Sequence, residues 1–196
     1  MGYHWLKWVT PNQLSMLRIL LVPVLMVLLY YDRPWGNVGA MFVFLFAGLT
    51  DYIDGNLARY RGEVTNLGRL LDPIADKMLV TASLVMLVAA GHAGAVPTIL
   101  VLMREFAISA LRQVAALDGV ALASVRGAKW KTTLQMVATG TLIVSVNPFG
   151  GPIELIGGIL LWAAAVVTLW SGLEYFRMYF REKAEKESPS AEHPSD

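Results

Sequence analysis

Four aspartates fall within one short stretch of the chain, in the pattern Asp51-x-x-Asp54-Gly55-x-x-Ala58-Arg59, eight further residues, then Gly68-x-x-x-Asp72-x-x-x-Asp76. Apolar sequence flanks them on both sides, where an ionised carboxylate is costly unless something binds it. If both halves are helical, Asp51 and Asp54 are i,i+3 neighbours and Asp72 and Asp76 are i,i+4 neighbours, so each pair shares a helix face. A turn around residues 62–68 would bring the two faces together. Carboxylates converging in a low-dielectric site raise one another's pKa values, and cations between them remove the conflict. All-oxygen ligation suits Mg2+ or Mn2+, and the chain has no Cys that would favour a softer metal. Two such ions, roughly 3.5–4 Å apart, make a clamp for phosphoryl chemistry. On this reading Asp51, Asp54, Asp72 and Asp76 are the metal ligands. One aspartate taken alone would be a cap or a solvated side chain, but the four together resist that reading.

The elements that must position them are helices. The chain has 196 residues, 56% of them hydrophobic, with a mean hydropathy of +0.52, more apolar than an ordinary soluble domain. Six segments, near 12–31, 37–59, 67–90, 95–117, 128–147 and 152–178, approach the roughly 20 residues that a bilayer core requires. Pro and Gly punctuate the breaks at 32–36, 91–94 and 147–152. Trp5 and Trp8 around Lys7 suit a short amphipathic helix lying along the interface, too weakly apolar for a signal peptide. The expected fold is therefore all-α and polytopic, with six transmembrane helices and an N-terminal interfacial helix. Residues 1–180 form the membrane-embedded domain, and 181–196 a polar tail expected to be disordered.

Charge sets the orientation. Lys and Arg concentrate at both chain ends and after the second and fourth segments, while the other three loops offer only Arg33, so both termini and the aspartates are expected to face the cytoplasm. A net charge of +1 gives no support for a nucleic-acid partner. His4, His92 and His193 fall in the anchor, an outer loop and the tail, which makes a catalytic histidine improbable.

A second constellation is cationic: Arg104-Glu105, Ser109 and Arg112, then Lys129-x-Lys131-Thr132-x-x-Gln135. Arg104 lies deep in the fourth apolar segment. Either Glu105 or a passing helix pairs with it, or it binds a substrate anion. Lys131 is equally open between a snorkelling interface lysine and a ligand. Lys129 and Lys131 are two apart, so at most one reaches a shared pocket if both are helical. A donor carrying its own phosphates is served by metals, so a separate basic pocket makes sense if the acceptor also carries a phosphate.

The aspartate string resembles the signature of the CDP-alcohol phosphotransferases, integral membrane enzymes that join an alcohol to a CDP-linked phosphoryl donor, and all eight fixed positions are present. The cationic residues, with Pro11-Asn12-x-x-Ser15-x-x-Arg18, resemble the branch that makes phosphatidylglycerophosphate in bacteria, a likeness running over about residues 10–180. The resemblance implies CDP-diacylglycerol and sn-glycerol 3-phosphate as substrates, two Mg2+ or Mn2+ ions, a homodimer among membrane lipids, and a place in the bacterial inner membrane. It implies that Asp76 takes the acceptor hydroxyl's proton and also touches a metal. Asn12, Gly55, Ala58, Arg59 and Gly68 would serve the donor; Ser15, Arg104, Arg112, Lys129, Lys131 and Thr132 would serve the acceptor phosphate. Cardiolipin, phosphatidylserine and inositol-phosphate synthases share the aspartates. Outside the family the rival is a divalent-cation path, against which a fixed Arg59 beside the ligands argues.

Overall fold

A computed structural model describes residues 11–31, 34–61, 66–120, 122, 127–145 and 150–187. Side chains are described within these spans except at 11, 12, 34, 51–73, 76, 127–129, 150 and 187. The described chain is all-helical: α1 (Pro11–Tyr30), α2 (Pro34–Arg61), α3 (Asn66–Ala89), α4 (Ala95–Leu117), α5 (Gly127–Ser145) and α6 (Gly150–Glu187). Each falls on one of the six segments read from hydropathy. The expected interfacial helix at the N-terminus lies outside the described residues.

Two helices differ in length from expectation. Helix α3 begins at Asn66, so Gly68 is helical rather than part of the turn expected around 62–68. Helix α6 continues to Glu187, which corrects the expected start of the tail at 181. Local pairing accounts for the extension: Arg181 bonds Glu185 one turn on at 2.9 Å, and Lys183 and Lys186 tie the helix to the end of α4. Residues 188–196 lie outside the described residues.

Two helix ends show why the chain turns where it does. After α3, Gly91 takes φ 84°, and His92 N–H bonds Leu87 O at 2.9 Å while Gly91 N–H bonds Val88 O at 3.1 Å. After α4, Gly119 takes φ 66°, and Val120 N–H bonds Ala115 O at 2.8 Å while Gly119 N–H bonds Ala116 O at 3.2 Å. Both are Schellman closures, and only glycine enters the left-handed region without strain.

Helix α1 packs on α2 and α3, α6 packs on α4 and α5, and α2 and α3 meet α5 between the two groups. One apolar core runs through the bundle from Leu25, Phe44 and Leu84 to Val101, Leu142 and Leu161. A second, built from Ile108, Leu111, Ala115, Val120, Tyr175 and Tyr179, joins the C-terminal halves of α4 and α6.

Polarity is inverted relative to a water-soluble bundle. Arg18, Ser15, Asn37, Ser83, Thr139, Gln135 and Thr168 are buried, whereas Leu20, Phe42, Phe46, Met103, Phe106, Trp162 and Trp170 are exposed. An apolar exterior this continuous suits hydrocarbon rather than water. By length and composition, stretches within α1 (Gln13–Tyr30) and α6 (Gly151–Lys186) suffice to cross a bilayer, and α2 and α3 contribute shorter apolar stretches, Trp35–Thr50 and Lys77–Ala89.

Candidate active site

The aspartates stand on the two helices that flank the 62–65 connection. Asp54 lies seven residues before the end of α2 and Asp72 six after the start of α3; Asp51 and Asp76 each lie ten from the same junction. At 1.5 Å per residue both inner positions are about 10 Å from it and both outer ones about 15 Å. The four Cα positions therefore occupy two matched levels on consecutive helices. Register agrees with convergence: Ala40, Phe44 and Ala47 are buried along α2, and 51, 54 and 58 continue that i,i+3/i+4 series. On α3 the buried positions Ala75, Leu79 and Ser83 run back to 72 and 68. Thr50 caps the approach with its hydroxyl on Phe46 O at 2.9 Å and Ala47 O at 2.8 Å. The side chains of Asp51, Asp54, Gly55, Ala58, Arg59, Gly68, Asp72 and Asp76 lie outside the described residues, as do those of Asn12 and Lys129. Among the described residues no group of three His, Cys, Asp or Glu could hold a metal. Four carboxylates at two matched levels offer the all-oxygen donors that hard divalent ions take.

In the cationic constellation the side chains of Arg104, Glu105, Arg112 and Lys131 are described. Glu105 Oε1 accepts from Arg104 Nη1 at 3.0 Å and from Lys131 Nζ at 2.6 Å, so one carboxylate from α4 bridges two cations from α4 and α5. Arg104 is 4% exposed and also donates through Nη2 to Ser171 Oγ on α6 at 2.8 Å. Its Nε has no hydrogen-bond partner among the described residues. A Cβ on Gly172 would meet Arg104 Cγ at 3.2 Å and Nε at 3.3 Å, so the bare glycine leaves room for the guanidinium to cross α6. Arg112, two turns further along α4, is exposed and donates to Tyr175 Oη at 2.9 Å with its guanidinium carbon 5.1 Å from the ring centroid. The sequence left Arg104 and Lys131 open between a structural and a ligand role. The structure shows an ion pair for each, and a ligand role would be played from that paired position.

Ser15 is fully buried on α1, and Thr132 is exposed on α5. Sequence reading missed three partners. Lys77, immediately after Asp76, donates to Ser109 Oγ on α4, linking the aspartate helix to the cationic cluster one turn from Glu105. Its position beside Asp76 in an apolar helix was a usable signal. Tyr175 and Ser171 carried none, because only the parallel packing of α6 on α4 brings them to the arginines. His92 stands at the opposite end of α3, where Nδ1 lies 3.8 Å from Glu154 Oε1.

Beyond the cluster, Asp118 Oδ2 at the end of α4 accepts from Tyr179 Oη at 2.5 Å and Lys183 Nζ at 3.0 Å. Those bonds, the tyrosine hydroxyl first, hold the Asp118 carboxyl below its ordinary range.

Consecutive helices α2 and α3 carry aspartates at matched levels, and a half-buried carboxylate on α4 braces two cations. The sequence profile of the CDP-alcohol phosphatidyltransferases matches residues 8–170. The chain belongs to this family. Among its relatives is the CDP-diacylglycerol–glycerol-3-phosphate 3-phosphatidyltransferase of Rickettsia typhi, 38% identical over 85% of this chain and 94% of the relative. The protein of the same name from Bacillus subtilis is 35% identical over 85% and 92%. Among solved structures, the phosphatidylinositol phosphate synthase of Mycobacterium tuberculosis in apo form superposes with a TM-score of 0.65 at 23% identity, over 88% of this chain and 90% of that one. The same synthase in complex with manganese and citrate gives 0.65 at 22%, over 96% and 88%. At that identity the likeness establishes that this family member shares the fold.

Proposed function

We propose that the protein transfers a phosphatidyl group from CDP-diacylglycerol to sn-glycerol 3-phosphate, releasing phosphatidylglycerophosphate and CMP. The observation that carries this is the 35–38% identity, over 85% of the chain, to phosphatidyltransferases named for that acceptor. The architecture supports it: the aspartates lie about 10–15 Å in from one end of α2 and α3, near the plane where a lipid-held donor meets a water-borne acceptor.

The six helices are read as six transmembrane spans of a bacterial inner-membrane protein, with the connections 62–65 and 118–126 and both termini on the cytoplasmic side. The positive-inside distribution supports that orientation, and the resemblance to the family supports a homodimer. Asp51, Asp54, Asp72 and Asp76 would hold two Mg2+ or Mn2+ ions. When bound, these would neutralise the donor diphosphate and stabilise the departing CMP. Asp76 accepts the proton of the acceptor hydroxyl as that oxygen bonds to the phosphatidyl phosphorus and the bond to CMP breaks. Arg59 pairs with the donor diphosphate, and Gly55, Ala58, Gly68 and Asn12 border the nucleotide. Arg104, Arg112, Lys129, Lys131, Thr132 and Ser15 serve the acceptor phosphate. Glu105 keeps Arg104 and Lys131 braced before the acceptor arrives, so less ordering remains to be done on binding.

Purified protein given CDP-diacylglycerol and radiolabelled glycerol 3-phosphate should move label into lipid with Mg2+ or Mn2+ present and stop in excess chelator. Undiminished transfer in chelator would sink the metal reading, and absence of labelled lipid under all conditions would sink the assignment.

A further inference from the structure

Among the described residues Arg18 is the largest fully buried side chain, at 0% exposure on α1. A guanidinium keeps its charge in proteins, so one enclosed in an apolar bundle requires an anion. Helix α1 contains no acidic residue, and the helices packed on it, α2 and α3, contain only Asp51, Asp54, Asp72 and Asp76. The nearest other carboxylates in the sequence lie in the connections. They are Asp32 and Glu63, which lie outside the described residues.

Height singles out the aspartates further. Because α1, α2 and α3 alternate in direction, the start of α1 shares an end with the α2–α3 junction. Arg18 is seven residues into α1, about 10 Å from that end, the same level as Asp54 and Asp72. The buried α1 positions Ser15, Arg18, Val22, Leu25 and Leu29 form one i,i+3/i+4 stripe, so Arg18 belongs to the face that packs into the bundle.

From this burial, level and carboxylate inventory we propose that Arg18 is a built-in counter-ion of the aspartate site. It is a positioning residue that offsets the mutual repulsion of the carboxylates while the site is free of metal, and it competes with divalent cations for their charge. The proposal rests on the reading that these aspartates bind metal.

The test measures coupling rather than turnover. Full-length wild type, Arg18→Gln and Arg18→Met, in detergent micelles, are compared for Mn2+ affinity by loss of the free-ion EPR signal and for thermal midpoint in chelator and in saturating Mn2+. With the counter-ion gone, the metal-free state suffers most. The variants should therefore gain more stability from Mn2+ than wild type does and bind it more tightly, on the order of tenfold. Arg18→Lys, which keeps the charge, should restore wild-type coupling even where packing is imperfect.

Equal destabilisation with and without Mn2+, or unchanged or weaker Mn2+ affinity in both neutral variants, would overturn the proposal and leave Arg18 a packing residue. A wild type that binds no Mn2+ would overturn the metal reading and this inference together. If Arg18→Gln does not fold in chelator, Arg18→Met, which replaces the buried charge by an apolar chain of similar length, carries the same comparison.

Discussion

The two halves of the bundle arrange charge in opposite ways. Helices α1–α3 concentrate four carboxylates at two matched levels, with Arg18 the one buried arginine on α1. Helices α4–α6 gather Arg104 and Lys131 on a single carboxylate, Glu105, and hold Arg104 to Ser171 and Arg112 to Tyr175. Carboxylates at matched levels would suit metals, and cations already braced would suit a phosphate that comes and goes. Lys77 joins the halves through Ser109. The cationic half is ordered by contacts within the protein, and on the proposed reading the acidic half would take its order from metal ions.

The largest effects should come from the acidic half. Asp72→Asn removes one member of the proposed ligand set, and transfer should fall by roughly 10³-fold or more, with Mn2+ binding weakened in parallel. Near-normal Mn2+ affinity in this variant would break the contrast between the halves. Asp76→Asn keeps size and an oxygen ligand but loses basicity, so turnover should fall by about 10²-fold or more with donor binding largely kept. If donor binding disappears in step with rate, Asp76 is chiefly a ligand.

Substitutions in the cationic half should be milder and should separate the substrates. Neutralising Arg112 or Lys131 forfeits a charge-assisted contact worth about 1.5–3 kcal/mol. The KM for glycerol 3-phosphate should then rise by about 10- to 100-fold while the donor KM changes little. Glycine 172 offers a sharper version: Gly172→Ala places a methyl 3.2 Å from Arg104 Cγ and should raise the acceptor KM without removing any charge. Equal rises in both KM values would mean that the braced cluster serves the fold rather than the acceptor.

How far each half was legible in the sequence follows the same division. The aspartates announce themselves because i,i+3 and i,i+4 spacing is a property of one helix, and the helix positions emerge from apolar runs that packing had no reason to disturb. The cationic half depends on contacts between residues 26 to 67 positions apart, such as Lys131 with Glu105 and Arg104 with Ser171. Periodicity carries no information about these, so Arg104 stayed open between ion pair and ligand, and Tyr175 went unnoticed. The extension of α6 to Glu187 was missed for the same reason. Its polar residues look like a tail until Asp118 is seen receiving Tyr179 and Lys183.

The smallest effect is expected at that clasp. Because the folded-state pKa of Asp118 is depressed, its contribution is present above the ordinary carboxylate range, about pH 4, and is lost as pH falls through the lower folded value. The side chains are solvated, so Asp118→Asn should shift the thermal midpoint at pH 7 by only about 1–2 °C and should leave turnover unchanged. A large loss would show that the end of α6 is integral to the cationic half.

The most direct measurement gives the purified enzyme CDP-diacylglycerol and equal concentrations of glycerol 3-phosphate, glycerol, serine, myo-inositol phosphate and phosphatidylglycerol, and reads every lipid product together with CMP. The expected result is phosphatidylglycerophosphate in clear excess with one CMP released per lipid formed, and glycerol a very poor acceptor because it lacks the phosphate that Arg104, Arg112 and Lys131 would hold. Preferential use of serine, myo-inositol phosphate or phosphatidylglycerol would contradict the assignment and move the protein to another branch of the family, with the aspartate chemistry intact.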